Sequence, residues 1–135
     1  MDVKAAAAIA KSSYDRCREV EGFFDSFYEE FFTADPAARP LFAKTDFERQ
    51  HQLLRHAIGL LLLVPNQPSD QPNLLARLAE GHSRRGLNIA PARYGPFIDS
   101  LMKTVARYDT QFNPSVERAW REALAPGVAY MMAGY

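Results

Sequence analysis

Apolar residues in this chain recur at three- and four-residue spacings almost from end to end, and no strand-like alternation persists for more than a few residues. That period belongs to helices with one buried face, so it commits the chain to an all-α architecture. A first helix is expected from about 3 to 17 or 20, with Ala6, Ile9, Ala10, Tyr14 and Cys17 on one side and Gly22 as its break. A second, 23 to 32, sets Phe24, Phe27, Tyr28, Phe31 and Phe32 on one face. Asp35-Pro36 reads as an N-cap with proline at the first helical position, opening a short turn through Phe42. Thr45 or Asp46 can cap a strong helix over 47–64. Residues 65–72 carry Pro65, Pro68 and Pro72 and form the one clear linker, because proline denies helical hydrogen bonding. Beyond it, Asn73 can cap a helix to about Arg85, stopped by Gly86. Pro91 starts a helix to about Tyr108 that Gly95-Pro96 should kink, and Asn113-Pro114 starts a last one to about Gly134 that Pro126 should bend.

The 135 residues suit a single domain over 1–135, and a chain of this size buries roughly two-thirds of its unfolded surface. Formal net charge is zero, with no basic cluster beyond Arg84 and Arg85. Neither nucleic acid nor an anionic membrane is therefore an expected partner. The most apolar run, 57–64, is far shorter than the ~20 residues a membrane helix needs. Cys17 is the sole cysteine and no convincing signal peptide opens the chain, so a cytoplasmic protein is expected.

The chemistry-bearing residues are few. With Gln50 at zero on a helical wheel of about 100° per residue, Leu53, Leu54, Ala57, Ile58 and Leu61 cluster around it. Gln50 is thus a polar residue inside an apolar stripe, while His51 and His56 read as rim or surface groups. His82 ends a face made by Leu74 and Leu78, with Leu75 and Ala79 beside it. Two readings stay open there: a half-buried imidazole bonded to a backbone group, or a ligand to haem iron, for which one histidine suffices. Tyr28 lies amid phenylalanines, and its hydroxyl either bonds a carbonyl in the core or shares a cavity with the Gln50 amide. Phe42 is either core or a wedge against a flat cofactor. No phosphate loop, nucleophile elbow or Cys-x-x-Cys pair is present, and acidic pairs such as Glu29-Glu30 read as solvated helix faces.

Taken in order, Phe27-Tyr28, Pro40-Leu41-Phe42, Gln50 followed by Leu54, Gly81-His82, and Pro91 with Tyr94 resemble the globin family, especially bacterial single-domain globins and the haem domain of flavohaemoglobins. The resemblance runs from about Ala5 to Met132. It implies a globin fold, about six to eight helices in a three-over-three sandwich around one haem b. His82 would be the proximal iron ligand and Phe42 would pack on the porphyrin. Tyr28 and Gln50 would form the distal pair that hydrogen-bonds an O2 ligand, with Leu54 as apolar distal wall. Leu78 and Ile89 would lie under the proximal face beside Tyr94, and Trp120 would be a packing residue of the last helix. Two departures matter. The stretch from His82 to Tyr94 is two residues longer than in flavohaemoglobins. Tyr135 stands where those proteins have a glutamate that works with the tyrosine matched by Tyr94 to make the imidazole electron-rich.

The leading expectation is a haem protein that binds O2 reversibly, and CO and NO with it. The same distal pair would serve a nitric oxide dioxygenase supplied by a separate reductase. A haem-based gas sensor and a haem-free globin-like regulatory module complete the alternatives.

Overall fold

Three of the helices begin where a short polar side chain can deal with their first free N–H groups. In the computed structural model, which describes residues 2–135, Asp2 accepts from the Lys4 amide ahead of α1 (Val3–Cys17). Gly22, at φ 89°, breaks the chain before α2 (Phe23–Ala34), and a 3-10 turn over Pro36–Phe42 follows. Asp46 accepts from the amides of Glu48 and Arg49 to open α3 (Phe47–Leu63). The proline-rich linker begins with a 3-10 turn at Val64–Asn66 and leads to α4 (Ala76–His82). A further 3-10 turn at Pro91–Arg93 feeds α5 (Tyr94–Tyr108). Finally Asn113 accepts from the Val116 amide at 2.9 Å and Pro114 opens α6 (Pro114–Ala133).

These helices form two layers, α1, α3 and α4 against α2, α5 and α6. The most extensive packing joins α1 to α6, where Ala6 and Ala10 on one helix and Ala119 and Ala123 on the other are all fully buried. Small side chains let the two backbones come close. Trp120 lies at 0% exposure with its ring edge-on to Tyr14, the packing role expected of it. The second large seam joins α2 to α5, with Phe97 set between Phe27 and Phe31. Among the described residues, no helix is long and apolar enough to cross a membrane.

The structure departs from expectation at several points. Helix α4 is shorter than the 73–85 expected, because the Ser83 hydroxyl donates to the Glu80 carbonyl and accepts from the Arg85 amide, competing with helical bonding. Asn73 still caps, accepting from the Leu75 amide at 2.8 Å, but ahead of a turn rather than of the helix itself. The chain then doubles back so tightly that a Cβ at Gly86 would stand 2.2 Å from the Gly81 carbonyl oxygen. Asp35 makes no capping bond and instead holds Arg93 at 2.7 Å, tying the Phe42 turn to the start of α5. Pro96 falls in the first turn of α5, where a missing N–H breaks no helical bond, and α6 runs unbroken through Pro126. Ile9 and Leu74 are exposed while Ala7, Ser13 and Phe23 are buried. On α3 the buried set is Leu54, Ile58, Leu61 and Leu62, with Leu53 out in solvent. The inward stripe is thus turned by roughly 60° from a centre on Gln50, leaving Gln50 at its edge.

That edge position makes the first turn of α3 worth testing. Asp46→Ala removes the acceptor shared by two amides, and about 1 kcal/mol of unfolding free energy should be lost in urea titration. An unchanged midpoint would mean that water replaces the cap at no cost.

Candidate functional site

Two groups of side chains carry the chemistry, one on α2 and α3 and the other at the end of α4. α3 and α4 each pack on α6, and neither packs substantially on the other. On the first side, Tyr28 projects from the middle of α2 and is only 6% exposed. The Gln50 amide, one turn into α3, donates to its hydroxyl oxygen at 3.0 Å. The two polar residues picked out separately from their apolar stripes therefore meet. Because the amide fills an acceptor site, the phenol's own proton is left to be donated elsewhere. Burial pushes the Tyr28 pKa up to about 12, against a smaller downward pull from the Gln50 bond. The group is a neutral proton donor throughout the ordinary pH range.

Around this pair stands an aromatic wall. Phe42 lies 5.7 Å from the Tyr28 ring and Phe47 5.4 Å from it, with Phe32 completing the cluster. His51 stacks almost parallel on Tyr28, 5.7 Å between centroids, and its Nε2 is 3.3 Å from Asp25 Oδ1. Leu54 is buried one turn beyond Gln50. Phe47 and His51 were not expected in this cluster. Their signal was their placement three residues before and one after Gln50, which puts both beside Tyr28 once α2 and α3 are packed.

On the other side, His82 is half-buried at the end of α4. Its Nδ1 lies 2.8 Å from the Leu78 carbonyl oxygen, one turn back. A carbonyl can only accept, so Nδ1 carries the proton and Nε2 keeps its lone pair. Among the described residues Nε2 makes no hydrogen bond. Leu78 is half-buried beside it, and the Ile89 amide donates to the His82 carbonyl at 2.9 Å. Tyr94 opens α5 half-buried, its hydroxyl pushed to higher pKa by burial. Tyr135 does reach the loop behind His82, yet its hydroxyl goes to Asn88 and not to Tyr94. No hydrogen bond or ring contact among the described residues joins the His82 group to the Tyr28 cluster. His56 is exposed and apart from both.

The arrangement has the parts a flat, apolar, metal-bearing cofactor requires. There is one imidazole with a free Nε2, a buried phenol–amide pair, and half-buried apolar side chains (Phe42, Phe47, Leu78, Tyr94 and Phe97) that pack on the core without being covered by it. The donor set fits haem better than a free metal ion, which would ask for several ligands together.

Comparisons with known proteins place the fold. The family profile described as Globin matches residues 25–132. Among solved structures, a protein from Pseudomonas aeruginosa PAO1 matches with a TM-score of 0.90 and 36% identity, over 96% of this chain and 98% of that one. Its crystal structure is described as structurally highly homologous to a human haemoglobin. A search of curated proteins gave no significant match.

Proposed function

The chain belongs to the globin family, and from that premise we propose that it holds one haem b, with His82 Nε2 as the iron's protein ligand, and reversibly binds a diatomic gas, O2 foremost. The observation that carries this reading is the Tyr28–Gln50 hydrogen bond, a polar pair held inside an otherwise aromatic wall. The likeness of its Pseudomonas relative to a haemoglobin supports the same conclusion.

When bound, haem would supply an iron able to take a small gas as ligand, held by His82. The rest is the work of this chain's residues. The Leu78 carbonyl fixes the His82 tautomer and the plane of its ring, and a hydrogen-bonded imidazole is a more basic ligand. Leu54, Phe42 and Phe47 would give the site apolar walls and so keep bulk water out. Tyr28 would offer its hydroxyl as a hydrogen-bond donor to a gas held there, and the bond from the Gln50 amide would hold the phenol in place. A gas carrying partial negative charge, such as O2, would gain more from that donor than CO would.

Tyr28→Phe tests this directly. One lost hydrogen bond is worth about 1 kcal/mol, so the O2 dissociation rate in stopped-flow should rise about fivefold or more while CO association changes less. An O2 off-rate equal to wild type would remove Tyr28 from the site. Because the phenol titrates only near pH 12, the wild-type off-rate should also stay flat from pH 6 to pH 10 in its Tyr28-dependent part. The bond from the Tyr135 hydroxyl to Asn88 leaves Tyr94 without that partner, which favours gas binding over oxidative turnover. Nitric oxide consumption with an added reductase is the assay for the enzymatic alternative: sustained turnover would favour it, and bound O2 that nitric oxide does not consume catalytically would exclude it.

A further inference from the structure

A hydrogen-bond donor is directional, so Tyr28 can act on a bound molecule only as well as its ring is held. The Gln50 amide ties its hydroxyl at 3.0 Å. The ring itself meets Phe27, Phe32, Phe42 and Phe47 at tilted or edge-on angles, between 33° and 77°. His51 meets it differently, within 14° of parallel. The backbones of α2 and α3 hardly approach each other, so these side chains set how the two helices face one another.

The imidazole is held in its turn. Phe24, one turn before Tyr28 on α2, stacks on it with 6.0 Å between centroids, and Phe47, one turn back on α3, meets it edge-on at 6.3 Å. Its Nε2 is buried beside the Asp25 carboxylate and makes no hydrogen bond among the described residues. Only 24% of the side chain is exposed. A histidine that its spacing marks as a rim group thus gives its face to Tyr28. Gln50 and His51 are consecutive, and consecutive side chains leave a helix about 100° apart. One partner can meet both only by lying between those two directions. Tyr28 does so, with the amide on its hydroxyl and the imidazole on its ring.

We propose that His51 is a positioning residue for Tyr28: stacked on Phe24 and Tyr28 together, it fixes the tilt of the phenol and so keeps the hydroxyl aimed. The stacking rests on contacts alone, while its consequence for a gas rests on the gas-binding reading above. Three variants separate the ring from its polarity. His51→Phe keeps a flat ring and loses the nitrogens. His51→Ala removes the ring altogether, and His51→Gln keeps bulk and polarity without one. Because the side chain is partly exposed, all three should fold.

In haem-free protein carrying isotope-labelled tyrosine, NMR line shapes give the rate at which the Tyr28 ring flips. That rate should rise roughly two- to tenfold in His51→Ala and His51→Gln, the span expected for one lost ring contact, and stay near wild type in His51→Phe. In the haem-loaded protein the O2 dissociation rate should rise by a similar factor in the same two variants, with His51→Phe again near wild type. Adding His51→Ala to Tyr28→Phe should raise the off-rate no further than Tyr28→Phe alone, since no hydroxyl is left to position. A merely structural contact would add its own effect in that double variant. Wild type that takes up no haem would sink the gas-binding reading and the consequence drawn from it, leaving the ring-flip rates to decide the stacking. Wild type that loads haem overturns this proposal alone in either of two cases: His51→Ala and His51→Gln match it in ring-flip rate and O2 off-rate, or the two effects simply add in the double variant.

Discussion

His82→Gly is expected to leave a folded protein that no longer retains haem. The substitution removes one half-buried side chain and one hydrogen bond, to the Leu78 carbonyl. The fold should therefore lose only about 1–2 kcal/mol from the lost bond and the extra freedom of glycine. On the haem reading the cofactor would lose its only protein ligand. Deleting a partner that merely orients a ligand costs about 10–100-fold in metal affinity, so deleting the ligand itself should exceed about 100-fold. Titration with haemin, followed by transfer to an excess of a haem-binding acceptor, measures this. Added imidazole has the shape of the missing ring and should partly restore retention. His56→Gly is the control: that histidine is exposed and separate from both groups, and its loss should change nothing in the titration. Retention and gas affinity in His82→Gly equal to wild type would leave a helical bundle of the globin type with its cofactor site still to be found.

The second large effect concerns stability. Asp109, at the end of α5, has its side chain fully out of solvent and accepts from four donors. These are the Ser13 hydroxyl at 2.6 Å, Arg16 Nε at 2.6 Å and Nη2 at 3.0 Å, and the Gln111 amide at 2.9 Å. Burial alone would raise its pKa, but the bonds from Arg16, Ser13 and Gln111 together outweigh burial and hold the carboxyl below the ordinary aspartate range. Asp109→Ala leaves Arg16 and Ser13 facing a hole. Breaking a buried ion pair costs about 3–5 kcal/mol, and because the Arg16 side chain keeps 28% of its exposure, the lower end, about 3 kcal/mol, is expected. Since the folded pKa lies below the unfolded one, this stabilisation is present in full above the unfolded aspartate range near pH 4. It is lost as pH falls through the folded value. Urea unfolding of wild type should therefore weaken below about pH 4, and Asp109→Asn should flatten part of that slope. A variant as stable as wild type at pH 7 would show that the cluster contributes nothing net.

Much of the site was legible because its polar residues interrupt apolar stripes. Tyr28 and Gln50 stand out in that way, and His82 follows Leu78 by one helical turn. Of the two readings left open for His82 the backbone bond is seen, at Nδ1, and it leaves Nε2 available for the ligand role proposed above. Contacts between distant segments were not legible. Ser13 and Arg16 reach Asp109 across more than ninety residues, and Asp35 reaches Arg93 across 58. Nothing local in any of these side chains names its partner. The turn of the α3 stripe had a similar origin. Leu62 lay outside a wheel centred on Gln50 but is buried because α1 and α6 both close on that side of α3, whereas Leu53 points away from them. Hydrophobicity alone ranks the two leucines equally. The early end of α4 was in principle readable from Ser83, whose hydroxyl competes for backbone groups, but Gly86 is the stronger stop signal and drew the boundary too late.

The central claim is that a pigment sits between Tyr28–Gln50 and His82 with room for a gas. The absorption spectrum of the purified, haemin-reconstituted protein, taken ferrous before and after CO, addresses it most directly. A sharp Soret band that moves on adding CO is predicted. A protein that stays colourless after haemin, or whose Soret band ignores CO, would contradict it.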